Sequence, residues 1–334
     1  MKIAIVGAGA IGGYLGARLS LAGAEVTLIA RGANLQALRS NGIKLIEEDG
    51  SQKHAARVNA ATITEAGVHD YVLVTLKSHQ VAAVAGEVAQ LCGPNSAIVT
   101  MQNGLPWWYF YKTGGSFDGT QLQSVDPGGI QWRLLTPERV IGSIVYPACE
   151  LVAPGVVKVI EGNRFSLGEP SGEKTERVLA LAKVLIDVGF KVPVSSTIRD
   201  EIWVKLWGNL TFNPVSALTH ATLEEICRFP LTREVARQMM SEAQTVGERI
   251  GVQFKIALEK RIDGAQKVGA HKTSMLQDVE QGKALELEAL LGSVAELATL
   301  TGVATPTIRT VYALTRLLGD TLSKRSAKLS TGAQ

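Results

Sequence analysis

The sequence predicts an α/β protein in two parts, a parallel-sheet domain over residues 1–195 and an all-helical domain over residues 196–334. Three observations predict it. Short, continuous apolar runs alternate with helical periodicity in the first part, as expected of parallel strands buried on both faces. A strand, a glycine turn, a helix and a second strand follow one another within about 30 residues, the length of a βαβ unit. From Thr197 onward strand signals almost vanish and long helical periodicity takes over.

Taken in order, residues 2–6 are a β-like run ending in Gly7-Ala8-Gly9-Ala10-Ile11-Gly12, after which Ile11, Leu15 and Leu19 recur at helical spacing. Residues 25–30 form the second run, and residues 71–76 and 97–101 two more. Residues 140–146, 155–160 and 164–167, punctuated by Gly and Pro, predict antiparallel strands or a sheet edge. A helix over 173–189 and a short strand over 190–194 close the first part. In the second part, Thr222 with Glu225 three residues on predicts a capping box, and Thr305-Pro306 a helix start with Pro at the first position. The polar residues 324–334 are expected to fray.

Composition narrows the class. At 334 residues, 46% hydrophobic and 19% charged, the chain can bury sizeable cores and is not disordered. Its net charge is only +3, with no Lys/Arg run, so no nucleic-acid surface is expected. The N-terminus lacks a signal-peptide pattern, and no apolar stretch reaches membrane-spanning length. Cys92, Cys149 and Cys227 are odd in number and far apart, which argues against disulfides and zinc and fits a reducing cytoplasm. His54, His69, His79, His220 and His271 show no metal spacing, so no metal is expected.

The glycine turn carries the first chemistry. In a nucleotide-binding βαβ unit the first glycine permits a tight turn, the second lets the backbone approach the pyrophosphate, and the third lets helix and strand pack closely. Gly7, Gly9 and Gly12 occupy those places, so Gly7, Gly9, Ala10, Ile11 and Gly12 are cofactor-binding candidates in a Rossmann-like domain. NAD-binding units place a carboxylate at the end of the second strand, and NADP-binding units a cation. Here that position reads Ala30-Arg31-Gly32, which favours NADPH.

A second feature is out of place. Lys205, Asn209 and Asn213 recur every fourth residue and share one helix face, among Ile202, Trp203, Leu206, Trp207, Leu210 and Phe212. Buried polar groups cost a few kcal/mol unless satisfied, so something polar is expected to meet them. A partly desolvated lysine there has a lowered pKa, the condition for a proton donor near neutral pH. Lys77 and Asn103 sit just past apolar strands, at the carboxyl edge where open parallel sheets bind ligands.

Together these segments resemble the ketopantoate reductase family. The matching stretches are residues 7–12, Arg31, Leu76-Lys77, Gln102-Asn103-Gly104, Glu201-Ile-Trp-Val-Lys-Leu, Asn209, Asn213-Pro214 and Ser274-Met-Leu-Gln-Asp278 followed by Glu286. The resemblance implies NADPH-dependent reduction of a 2-oxo acid, foremost 2-dehydropantoate to pantoate in pantothenate biosynthesis, at a cleft between the two domains. By position, Lys205 looks like the general acid and Glu286 like the carboxylate that orients it or the substrate. Asn209, Asn213 and Ser274 look like substrate-binding groups, while Lys77 and Asn103 would line the nicotinamide side, with Asn103 also near substrate.

The chain also departs from the family. Residues 105–111, Leu-Pro-Trp-Trp-Tyr-Phe-Tyr, replace small polar residues, an apparent insertion runs through residues 125–129, and Val157-Lys158 replaces a Val-x-His pattern. The aromatic block is open to three readings: core, a subunit contact, or a wall of the substrate pocket. Reduction of another hydroxy acid's oxo form therefore stays open, as does a dinucleotide sensor without turnover, although a sensor needs neither Lys205 nor Glu286. The long helices are compatible with a homodimer or with burial inside one chain.

Overall fold

The computed structural model describes residues 1–55 and 57–331, with side chains to Arg325. The chain divides into two compact units, Met1–Gln121 with Asp126–Ile198, and Leu122–Val125 with Arg199–Gln334.

The first unit contains β1 (Ile3–Val6), α1 (Ala10–Leu21), β2 (Val26–Ile29), α2 (Gly32–Asn41), β3 (Ile43–Ile46), β4 (Gln52–Ala55), β5 (Asn59–Ala61), β6 (His69–Val74), α3 (Ser78–Gln90), β7 (Cys92–Thr100), α4 (Ile130–Leu135), β8 (Val140–Val145), β9 (Ala148–Ala153), β10 (Val156–Glu161), β11 (Phe165–Gly168) and α5 (Glu176–Asp187). The main sheet has the order β11-β8-β7-β6-β1-β2-β5. β1 pairs in parallel with β2 (Ile3 opposite Val26) and with β6 (Ile3 opposite Tyr71). This central position suits its four residues, every one of them buried. The order reverses beside β1, which places a crevice at the carboxyl ends of β1, β2 and β6.

Of the three segments expected as antiparallel or edge strands, β11 is an antiparallel edge strand and β10 pairs antiparallel with β9, but β8 is parallel to β7 and interior to the sheet. Residues 190–194 form no regular strand and touch β11 through isolated parallel bridges, Arg164 with Lys191 and Leu167 with Val194. β10 leaves the main sheet altogether for a second one, ordered β4-β3-β10-β9. Periodicity missed three of its strands because they are short and half-solvated, β4 (Gln-Lys-His-Ala) being exposed at three of four positions. This second layer covers the face of α1 turned away from the main sheet. Leu45, Val157 and Val159 share a core with Tyr14 and Leu15, and a Cβ on Gly13 would stand 2.6 Å from Val157 Cγ2.

The aromatic block is core. Trp107, Trp108, Tyr109 and Phe110 are buried; Trp108 Nε1 donates to Thr100 Oγ1 at 2.8 Å, and Trp107 and Tyr111 meet Trp132 of α4 edge-on. Asp126, buried, accepts from the backbone N–H groups of Gln131 and Trp132 at 2.8 and 2.9 Å, which fixes the start of α4.

In the second unit follow α6 (Ile198–Thr219), α7 (Leu223–Arg228), α8 (Pro230–Arg249), α9 (Leu258–Lys267), α10 (Ser274–Glu280), a π-turn (Glu288–Gly292), α11 (Ser293–Thr301) and α12 (Pro306–Thr331). Among the described residues it carries no strand. α8 packs on α7, α9, α11 and α12. The predicted capping box is formed: Glu225 N donates to Thr222 Oγ1, and Thr222 N to Glu225 Oε2. α12 opens at Pro306 as predicted, but its cap comes from afar. Glu242 of α8 accepts from Thr307 N and Ile308 N, both at 2.9 Å, a carboxylate at the positive end of the helix. The helix continues to Thr331 instead of fraying from residue 324, in keeping with the Lys, Arg, Ala and Leu of that stretch; residues 332–334 lie outside the described residues. No described helix is long and apolar enough to cross a membrane.

Candidate active site

In the first unit, a cleft of about 670 Å³ opens at the carboxyl edge of β1 and β2, with Gly7, Ala8, Gly9 and Arg31 on its wall. Gly7 has φ +107°, a conformation that L side chains rarely adopt, and the N–H groups of Gly7 and Ala8 donate to Ile29 O at 3.1 and 3.2 Å. Thr75 at the end of β6 holds the turn from beneath, donating to Gly7 O at 2.7 Å. Gly12 is packed so closely that a Cβ would strike Gly7 O and stand 2.5 Å from Thr75 Oγ1. Gly9 has nothing within 4 Å of where its Cβ would be, so a ligand can reach the backbone there. Gly9 caps α1 without a side-chain bond, and the first N–H groups of a helix have no acceptor within it. Those at Ala10, Ile11 and Gly12 therefore suit a phosphate.

Arg31 is exposed at the end of β2 and caps α2. Among the described residues its guanidinium makes no ion pair, and no carboxylate follows β2 to take a ribose hydroxyl. Asn34 of α2, which spacing did not reveal, ties the turn to the second sheet: its Nδ2 donates to Ala8 O at 2.7 Å, and its Oδ1 accepts from Gly155 N at 2.8 Å. No local pattern announces a donor 121 residues away. Also outside the sequence reading are Thr62, Ile63 and Gln80 on the cleft wall. His79, which the sequence reading left aside, lines it as well. Lys77 caps α3 and Asn103 follows β7, both half-buried at the carboxyl ends of adjacent strands; neither lies on the wall of this cleft. Gln102 Nε2 donates to Val74 O at 2.7 Å and sets the bend before Asn103.

In the second unit, α6 carries the polar stripe. Trp203 and Trp207 are fully buried beneath it; Trp207 Nε1 donates to Met240 O at 2.7 Å, and the Trp203 indole lies against Gly247 of α8. These anchors fix the rotation of α6, and with it the face bearing Lys205, Asn209 and Asn213. Asn213 is buried, and Lys205 and Asn209 are half-buried. Desolvation pulls the Lys205 pKa down to about 8, while the charge of Glu286 acts to raise it. The structure thus brings Lys205 and Glu286 together from residues 81 positions apart, and the lowering is the one a buried stripe predicts. Ser274 is exposed at the first position of α10, whose cap is Thr273, accepting from Leu276 N at 3.3 Å.

A lysine whose pKa is set at about 8 is charged at neutral pH yet readily gives up its proton, as a general acid must. The cysteines offer no rival chemistry. Burial raises all three thiols, Cys149 to about 12 and Cys227 to about 11, so none is a ready nucleophile. Among the described residues no group of His, Cys, Asp or Glu could hold a metal.

Two family models match the chain: Ketopantoate reductase PanE/ApbA over residues 3–106 and Ketopantoate reductase PanE/ApbA C terminal over residues 197–319. The chain is 53% identical over 319 residues to 2-dehydropantoate 2-reductase of Mesorhizobium japonicum, covering 95% of this chain and 98% of that one. It resembles a solved structure from Ralstonia solanacearum, provisionally assigned as a ketopantoate reductase, with TM-score 0.91 and 41% identity over 96% of this chain and 98% of that one. The 2-dehydropantoate 2-reductase of Geobacter metallireducens is similar at TM-score 0.83 and 26% identity, over 95% and 99% of the two chains.

Proposed function

The chain belongs to the ketopantoate reductase family, and from that premise we propose that it reduces 2-dehydropantoate to pantoate with NADPH, in pantothenate biosynthesis. Residues 1–195 serve as the NADPH-binding domain and residues 196–334 as the substrate and catalytic domain. The observation that carries the reading is Lys205, set in an apolar helix with its pKa at about 8 and Glu286 as its counter-charge.

The residues of the cleft fit the cofactor. The turn leaves its backbone open at Gly9, the first turn of α1 offers unused N–H groups, and Arg31 is free for a 2′-phosphate. NADPH, when bound, supplies a hydride. Lys77 and Asn103 line the nicotinamide side, and Asn103 also meets substrate. Lys205 holds a proton at the substrate's C2 carbonyl oxygen and releases it as the carbonyl becomes a hydroxyl. Glu286 keeps the ammonium charged and aimed. Asn209, Asn213 and Ser274 hold the hydroxyl and carboxylate ends of the substrate.

We place the enzyme in the cytoplasm, which its three free cysteines suit, and we propose a homodimer, consistent with exposed Leu314 and Leu317 on α12. Sedimentation equilibrium tests the latter. The activity is tested by following NADPH absorbance with purified protein and a panel of 2-oxo acids. Ketopantoate is expected to give the highest kcat/KM. Faster turnover of another oxo acid would reassign the substrate, and tight NADPH binding without turnover would leave only a sensor.

A further inference from the structure

The loop bearing Glu286 runs directly into the π-turn Glu288–Gly292, a wide helical turn of the kind that recurs at functional sites. Leu287 O collects the N–H groups of Leu290, Leu291 and Gly292 at 3.2, 2.8 and 3.2 Å, so the backbone next to Glu286 is pinned by the turn. Two side chains hold that turn in shape, one its own and one from α12. The Glu288 carboxylate lies across it, over Gly292, where a Cβ would collide with its Oε2. Tyr312 of α12 donates to both carboxylate oxygens, at 2.7 and 2.8 Å. The Tyr312 phenol is raised to about 12, by burial first and by Glu288 second, so it stays a donor throughout the working pH range. Arg316, also on α12, is the other charged group facing it.

We propose that the Glu288–Tyr312 pair, seated on Gly292, is a lock on the π-turn that positions the Glu286 carboxylate beside Lys205. The inference rests on the reading above for what Glu286 does. Tyr312 and Glu288 are positioning residues: they act on the proton donor only through Glu286. A π-turn can relax to ordinary α-helix by shifting register, which would move everything just before it. Tyr312 opposes that shift with one charge-assisted hydrogen bond shared between both carboxylate oxygens, and Gly292 leaves room for the carboxylate that receives it.

The test is a direct titration of Lys205, read by NMR on lysine-labelled protein, which requires no turnover. Removing the charge in Glu286→Gln lowers the Lys205 midpoint below its wild-type value near 8. Tyr312→Phe is expected to move it in the same direction by about half a pH unit, and so to reduce kcat at pH 9 to about a third of the wild-type value, against little change at pH 7, with the KM for NADPH unchanged. Glu288→Gln, which keeps an oxygen to accept from Tyr312, is expected to titrate close to wild type. The double variant Glu286→Gln, Tyr312→Phe should show no shift beyond that of Glu286→Gln alone. A wild-type midpoint in Tyr312→Phe, or additive shifts in the double variant, would overturn the lock. The charged neighbours Glu201, one turn earlier on α6, and Arg261 of α9, against Gly208, are left intact in every variant. If ketopantoate is not reduced but the titrations behave as stated, the lock stands and the substrate assignment falls.

Discussion

Between β1 and α1 the proposed binding groups are backbone N–H groups, whereas along α6 they are side chains set into an apolar helix. The turn works by what it lacks: Gly7 takes φ +107°, Gly9 leaves its Cβ position empty, and Gly12 has no atom to strike Gly7 O. The face of α6 works by what it carries into poor solvent, an ammonium and two amides above Trp203 and Trp207. The first region therefore tolerates almost no added atom at Gly7 or Gly12, and the second almost no lost charge. Substitutions should separate the two.

The largest effect is expected on the side-chain region. Lys205→Ala should lower kcat by about 10²–10⁴ and leave NADPH affinity, measured by fluorescence titration, within about twofold. A near-normal rate would remove Lys205 from the chemistry and break the contrast. Next comes the backbone region. Gly12→Val forces a side chain against Gly7 O and Thr75, and overpacking of this kind costs about 1–3 kcal/mol. A lower Tm and loss of NADPH binding should appear together; a variant that binds normally would show that the close approach does not shape the turn. Arg31→Asp should weaken NADPH about 10- to 100-fold while sparing NADH, the equivalent of one charge-assisted hydrogen bond of about 1.5–3 kcal/mol. Asn34→Ala, which frees Ala8 O and Gly155 N, should raise the KM for NADPH roughly fivefold, as for hydrogen bonds worth about 1 kcal/mol net. It should leave the reaction at saturation unchanged.

The same contrast explains what was legible in the sequence. A backbone site must be built from a local string of small residues, so residues 7–12 announce it before any fold is known. The α6 stripe was legible as an anomaly, because polar residues at four-residue spacing have no business among tryptophans. Its partner Glu286 was not readable from spacing, since a loop residue 81 positions away is brought in only by the packing of α6 with the chain that follows α10; the family resemblance supplied it. Asn34, the cap from Glu242 and the second sheet over α1 were hidden for the same reason: each depends on contacts between distant segments. Core was one of three readings of the aromatic block, and composition could not choose among them because it does not say what Trp132 will cover.

The pH dependence of kcat for ketopantoate reduction tests the central claim most directly. The Lys205 pKa is lowered to about 8 in the folded protein, so the acid is protonated below that pH and loses its proton above it. The same depression costs stability below about pH 8, a cost that fades as pH rises toward 10.5, the ordinary value for a lysine. Loss of activity above pH 8 therefore cannot be laid to this group's effect on folding. We predict that kcat is level below about pH 8 and falls about tenfold per pH unit above it, while the reverse oxidation of pantoate rises over the same range. A kcat that stays level to pH 10 in the reductive direction would contradict Lys205 as the proton donor.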